Sequence, residues 1–159
     1  MARETAASTT AAIGMAVLLG RLVAGFLVDR YWAPAVAAAF ISMPILSILV
    51  LIFLPVSLGT AIGAGFTLGL ALGAEIDLLG YVTGRYFGSK HFGPVFSGIL
   101  VFFMFASGLA PAIYGAVFDA TGSYNTILWA SVIMLSISIA LFLSLGKYPD
   151  FYAPRDKEC

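Results

Sequence analysis

Residues 34–54 read PAVAAAFISMPILSILVLIFL, with no charged side chain from Pro34 to Leu54. About 20 mostly apolar residues are what a helix needs to cross a bilayer. Pro34 falls where a first turn tolerates a missing N–H, and Pro55 comes just after the end. Working outward, four more segments qualify. Residues 6–28 stop at Asp29-Arg30, and 57–83 are closed by Arg85. Residues 93–118 run from Gly93-Pro94 to Phe118-Asp119, and 125–145 stop at Gly146-Lys147. Pro44 and Pro111 fall inside spans, where kinks are expected and neighbours satisfy the freed carbonyls.

Composition requires the same solvent. Hydrophobic residues make up 61% of the chain and charged residues 10%, against roughly 25% charged in soluble domains. Too little polar surface is left to face water, and the mean hydropathy of +1.03 agrees. The expected fold class is an all-α membrane protein of five transmembrane helices, with a membrane domain over 1–146 and a cytoplasmic tail over 147–159. The loops are so short that consecutive helices are antiparallel neighbours. A formal net charge of zero argues against a nucleic-acid partner. One cysteine, Cys159, and one histidine, His91, exclude an internal disulfide and a cysteine or multi-histidine metal site, so no metal or cofactor is expected. Met1 to Thr5 match a cleaved signal poorly, so the spans themselves direct insertion.

Basic residues near span ends set the orientation. Arg30, Arg85, Lys90, Lys147, Arg155 and Lys157 all fall on one side, and the other side has only Arg3. This puts the C-terminus in the cytoplasm and the N-terminus outside, in a plasma (inner) membrane. Tyr31, Trp32, Tyr86, Phe87, Tyr124, Trp129 and Tyr148 lie near the boundaries. Gly65, Gly69 and Gly73 repeat every four residues, a stripe that lets a neighbouring backbone approach closely.

Three charges remain inside the membrane. Arg21 lies eight residues before Asp29, about 12 Å deep at 1.5 Å per residue and so near the middle of a ~30 Å core. Glu75 and Asp77 lie at roughly 12–15 Å, measured from Arg85. Ionisable groups at that depth are candidate functional residues. Glu75 and Asp77 are about 200° apart around a helix, so only one of them can face a given partner. Asp77, Tyr81 and Arg85 share one stripe. Several readings stay open for Arg21, among them snorkelling toward the cytoplasm and a role in gating; two others concern a partner charge. It is a structural ion pair with Glu75 or Asp77, or it attracts an anionic substrate, because a planar guanidinium matches a carboxylate bidentately. Glu75 is also a candidate for proton coupling.

Three stretches resemble the major facilitator superfamily of transporters. Gly20-Arg21-Leu22-Val23-Ala24-Gly25-Phe26-Leu27-Val28-Asp29-Arg30 is similar to its GRxxxGxLxDR segment. Arg85-Tyr86-Phe87-Gly88 through Phe92-Gly93 is similar to the loop between its tenth and eleventh helices. Gly108-Leu109-Ala110-Pro111 and Gly115 are similar to its eleventh helix, and Phe118-Asp119-Ala120-Thr121-Gly122-Ser123-Tyr124 to the outer turn of that helix. This last pattern is most like the monocarboxylate-porter and oxalate–formate antiporter branch. The resemblance implies that the spans are the eighth to twelfth helices of a twelve-helix transporter, with helices one to seven absent.

For the residues, the resemblance implies that Arg21, four before Gly25, binds a substrate carboxylate. It makes Asp29, with Arg30 and Arg85, part of the cytoplasmic gate, and Asp119, Gly122 and Tyr124 the outer turn. Tyr31-Trp32-Ala33-Pro34 departs from the family's glycine and basic cluster. The fourth span has no lysine or arginine, which favours a monoanion over a dicarboxylate. The implied function is transport of a small organic anion by alternating access between two halves, with lipid, the anion, and an N-terminal transporter half or other membrane helices as partners. The alternative is a truncated or non-transporting membrane subunit. Enzyme activity is not expected, since His91 is in a loop and Ser131, Ser136 and Ser138 have no base nearby in sequence.

Overall fold

The computed structural model of the chain describes residues 2–55 and 57–149. Among these residues the chain is all helical, in the order α1 (Ala2–Arg30), α2 (Ala33–Phe53), α3 (Leu58–Thr121) and α4 (Asn125–Leu143). Three of the four, α2, α3 and α4, are long and apolar enough to cross a membrane. The chain is thus an integral membrane protein by the length and composition of its helices. The tail expected over 147–159 lies outside the described residues from 150 onward, and Arg155, Lys157 and Cys159 lie there with it.

Four helices replace the expected five, because no separate loop divides the third and fourth expected spans. Helix α3 runs through 84–93 with a single residue out of helical conformation, Gly88, at φ 70° and ψ 169°. That positive φ is open to glycine and disfavoured for other residues. The consequence is a fold-back, not a gentle bend. A side chain added at Gly84 would meet Phe92 at 3.7 Å, and one at Gly80 would meet Phe96 at 3.6 Å. Residues equidistant from Gly88 therefore touch, and α3 is two antiparallel arms, 58–87 and 89–121. The loop expectation rested on Arg85, Lys90 and His91, but such residues are equally at home at the ends of two helices. Neither expected proline kink breaks its helix. The helix α2 is continuous across Pro44, and Gly88, not Pro111, is the non-helical point in α3.

Local chemistry sets the other ends. Ser57 caps α3 reciprocally, its hydroxyl accepting from the Thr60 N–H at 3.2 Å while Thr60 Oγ1 accepts from the Ser57 N–H at 2.7 Å. At the far end Gly122 takes a left-handed φ of 68° and donates its N–H to the Phe118 carbonyl at 2.7 Å.

Packing centres on α1, α2 and the first arm of α3. Ala24, Val28, Ala33, Val36, Ala37, Phe40, Ala74, Leu78 and Val82 form the buried cluster. Helix α1 runs parallel to the first arm: Ala16 lies against Gly69, Val17 against Gly73, and Arg21 against Asp77. Their approach is backbone on backbone. A Cβ at Gly73 would overlap the carbonyl of Val17, one at Gly20 would overlap that of Leu70, and one at Gly69 would lie 2.8 Å from the Ile13 carbonyl oxygen. Helix α2 runs antiparallel to this arm, and its buried Ser47 hydroxyl bonds Thr67 Oγ1 and the Ala64 carbonyl. Helix α4 lies along α2, with Phe53 against Trp129 at one end and the Ala33 N–H donating to Tyr148 Oη at 2.7 Å at the other.

The second arm and α4 contain no buried residue. Phe102 is 78% exposed, Phe105 70% and Met134 69%. Apolar faces of that size are at home in lipid, not water.

Gly73→Ala should lower unfolding stability in mixed detergent micelles by about 1–3 kcal/mol, the scale of overpacking. Gly98→Ala, whose added methyl meets nothing within 4 Å, should be neutral or stabilising. Equal losses in the two variants would contradict the close α1–α3 contact.

Candidate functional site

The tight α1–α3 contact decides which charges meet. Arg21 comes directly after Gly20, and Asp77 lies one turn beyond Gly73. With those glycines pressed against the opposite backbones, Arg21 Nε reaches Asp77 Oδ2 at 3.0 Å. The pair is not sealed. The two side chains are 57% and 45% exposed, on a face that no described residue covers. A guanidinium has five N–H donors, and the one on Nε lies within bonding distance of Asp77.

A shallow cleft of about 340 Å³ begins beside Asp77 and is lined by Ala24, Gly25, Val28, Asp29, Leu78 and Tyr81. It leads from the ion pair toward the Arg30 end of α1. Gly25 is no packing glycine, because a Cβ there would meet nothing within 4 Å. What its missing side chain leaves is space in the cleft wall. Asp29 lies in the same wall and has no ion pair among the described residues. Arg30 stacks over Phe26, its Cζ 4.9 Å from the ring centre.

Glu75 is elsewhere. Two residues before Asp77 and on the other side of the helix, it lines a cavity of about 390 Å³ between α2, both arms of α3 and α4. Phe40, Phe103 and Phe142 wall that cavity, and Ser138 is its other polar side chain. The angular separation of the two carboxylates thus has a direct outcome: Asp77 takes Arg21, and Glu75 is left without a cationic partner among the described residues.

The remaining sequence candidates separate by role. Arg85 is at the Arg30 end, stacked over Tyr148 with its Cζ 4.6 Å from the ring centre. Gly122 is the left-handed cap of α3. Tyr124 stacks on Phe118 at 4.5 Å between centroids, and Asp119 is exposed one residue beyond Phe118. This turn is at the opposite end of α3's second arm from Gly88 and Arg85. Gly69 and Gly73 make the α1 contact, and Gly65 is buried on the same arm.

Two features escape a reading of the sequence. Ala16, Gly20 and Ala24 form a small-residue stripe on α1 that answers the one on α3, and its four-residue spacing was a usable signal. The second is the cluster of Trp32, Arg85, Tyr86, Lys147 and Tyr148, drawn from three separate stretches, for which boundary aromatics were the sole hint.

No family model, curated protein or solved structure matches the chain.

A double-mutant cycle of Arg21→Gln and Asp77→Asn, measured by unfolding in micelles, should give a coupling energy of about 1 kcal/mol, the upper end for exposed pairs. A coupling of zero would mean that the two charges are solvated separately.

Proposed function

We propose that this chain is part of a secondary transporter of the major facilitator type, carrying a small organic anion such as a monocarboxylate by alternating access. The observation that supports this reading is the Arg21 guanidinium, held by Asp77 at 3.0 Å while its side chain stays 57% exposed. A permanently charged arginine presented in this way is suited to receive a carboxylate. In this reading Arg21 binds the anion and Asp77 holds the guanidinium in place between turnovers, so that substrate and Asp77 compete for the same cation. Gly25 and the cleft toward Asp29 form the approach from the end that carries Arg30, Arg85, Lys90 and Lys147, which we assign to the cytoplasm by its positive charge.

The five helical segments, counting the two arms of α3 separately, then correspond to the eighth to twelfth helices of that fold. Partner helices complete the path, because substrate sites of this type form between two halves.

One observation favours the second reading, a non-transporting subunit that associates with other membrane proteins. The face of α1 that carries Arg21 also carries Leu18 and Leu22, both largely exposed. A face with a charge in the middle is poorly suited to lipid and well suited to protein.

The two readings separate in proteoliposomes. Transport predicts saturable uptake of labelled lactate that Arg21→Ala reduces by about 100-fold or more, the scale of losing a charge-assisted bidentate contact. It also predicts a lower KM in Asp77→Asn, where the competing carboxylate is gone. Absence of saturable uptake together with stable hetero-association would establish the subunit reading instead.

A further inference from the structure

At the Arg30 end of the bundle, Trp32, Arg85, Gly146, Lys147 and Tyr148 line a second cleft of about 670 Å³. Two cations face it, and among the described residues no carboxylate does. Asp29, the acid nearest to Trp32 in the chain, lines the separate cleft beside Asp77. We propose that this cleft is a binding site for the phosphate of an anionic phospholipid headgroup. The proposal is independent of transport, since none of its residues belongs to the Arg21 site.

The cleft is built by specific contacts between three elements, beyond the general surplus of lysine and arginine at that end. Gly146, at a left-handed φ of 61°, turns the chain after α4 back across the bundle. Tyr86 Oη donates to the Gly146 carbonyl at 2.7 Å and fixes that turn on the first arm of α3. Tyr148 is then held from two sides. Its ring packs on Tyr86 at 5.3 Å between centroids, and its hydroxyl accepts the Ala33 N–H at 2.7 Å at the start of α2.

The chemistry points to phosphate. Arg85 has its Cζ 4.6 Å from the centre of the Tyr148 ring, a cation–π contact that involves no N–H acceptor and leaves the guanidinium its hydrogen-bond donors. Lys147 is exposed beside it and adds three more donors. The Tyr148 hydroxyl accepts from Ala33, and its own proton has no acceptor among the described residues. Trp32 contributes the remaining wall. An oxygen-rich monoanion or dianion satisfies such a donor set.

Position selects the lipid as the source of that phosphate. The cleft is at the end of the apolar spans among Trp32, Tyr86 and Tyr148, and aromatic residues of this kind mark the headgroup level. Basic pockets between helix ends at that depth take acidic headgroups.

Tryptophan fluorescence tests the site, because Trp32 and Trp129 are the chain's two tryptophans. The full chain with Trp129→Phe is reconstituted into phosphatidylcholine vesicles doped with brominated phosphatidylglycerol or brominated phosphatidylcholine. The expected result is that Trp32 is quenched at about tenfold lower mole fraction of the anionic lipid, the scale that two cations near an acidic surface supply. That preference disappears in Arg85→Gln/Lys147→Gln, while the far-ultraviolet circular dichroism stays helical. Equal quenching by the two lipids, or a preference that survives the double substitution, overturns the proposal. Competition by millimolar inorganic phosphate at constant ionic strength assigns the cleft to soluble phosphate and overturns the lipid assignment. Asp150 lies two residues after Tyr148 and outside the described residues, so Asp150→Asn is a second arm. An unchanged preference supports the lipid. A preference that emerges only in Asp150→Asn shows the chain's own carboxylate in the cleft and overturns it.

Discussion

The close approach of α1 to the first arm of α3 is the constraint on which the rest of the structure depends. Gly20, Gly69 and Gly73 put backbone against backbone where any side chain would collide with a carbonyl. In lipid there is little hydrophobic drive to bring helices together, and association relies on packing of this kind. Once those contacts are made, the rotation of both helices is set. Arg21 and Asp77 then face one another, Glu75 is turned away into the cavity behind, and the cleft past Gly25 opens beside the pair. Close packing and the choice of ion pair are one event.

The same constraint explains why the pair is half exposed instead of buried. Two helices in backbone contact leave a shallow crevice, too narrow to enclose a guanidinium and a carboxylate. The charges therefore remain on the rim, oriented by each other. An arginine kept in this state costs less to present to an incoming anion than one that must first leave a sealed salt bridge, because breaking a buried pair strands the partner charge. In the proposed transport cycle, its weakness as a stabilising interaction is what would suit it to exchange.

That the chain is built of long apolar helices was legible from hydropathy, because a charge-free run such as 34–54 has few alternatives. That Arg21 and Asp77 fall at a matching level was legible too, since helical rise converts sequence distance into distance along the helix, and the two side chains meet. Choosing between Glu75 and Asp77 required the rotation of α3, and the glycine stripe carries that information. Asp77 is four residues beyond Gly73 on the stripe, and Glu75 is off it. The reversal between the third and fourth spans was expected, but its tightness at Gly88 was hidden for a different reason. Charged residues around a glycine read as a loop, while the chain instead keeps helical hydrogen bonding up to a single residue of positive φ. The Tyr148 cluster was illegible in principle, because its contacts join residues 60 and 115 positions apart.

Thiol cross-linking in native membranes addresses the parallel, face-to-face placement of Arg21 and Asp77 most directly. In a Cys159→Ser background, Arg21→Cys/Asp77→Cys and Arg21→Cys/Glu75→Cys are each treated with a short bifunctional thiol reagent and digested between the helices. Rapid joining of the first pair and little of the second is the predicted result. Preferential joining of the Glu75 pair, or of neither, would contradict that placement.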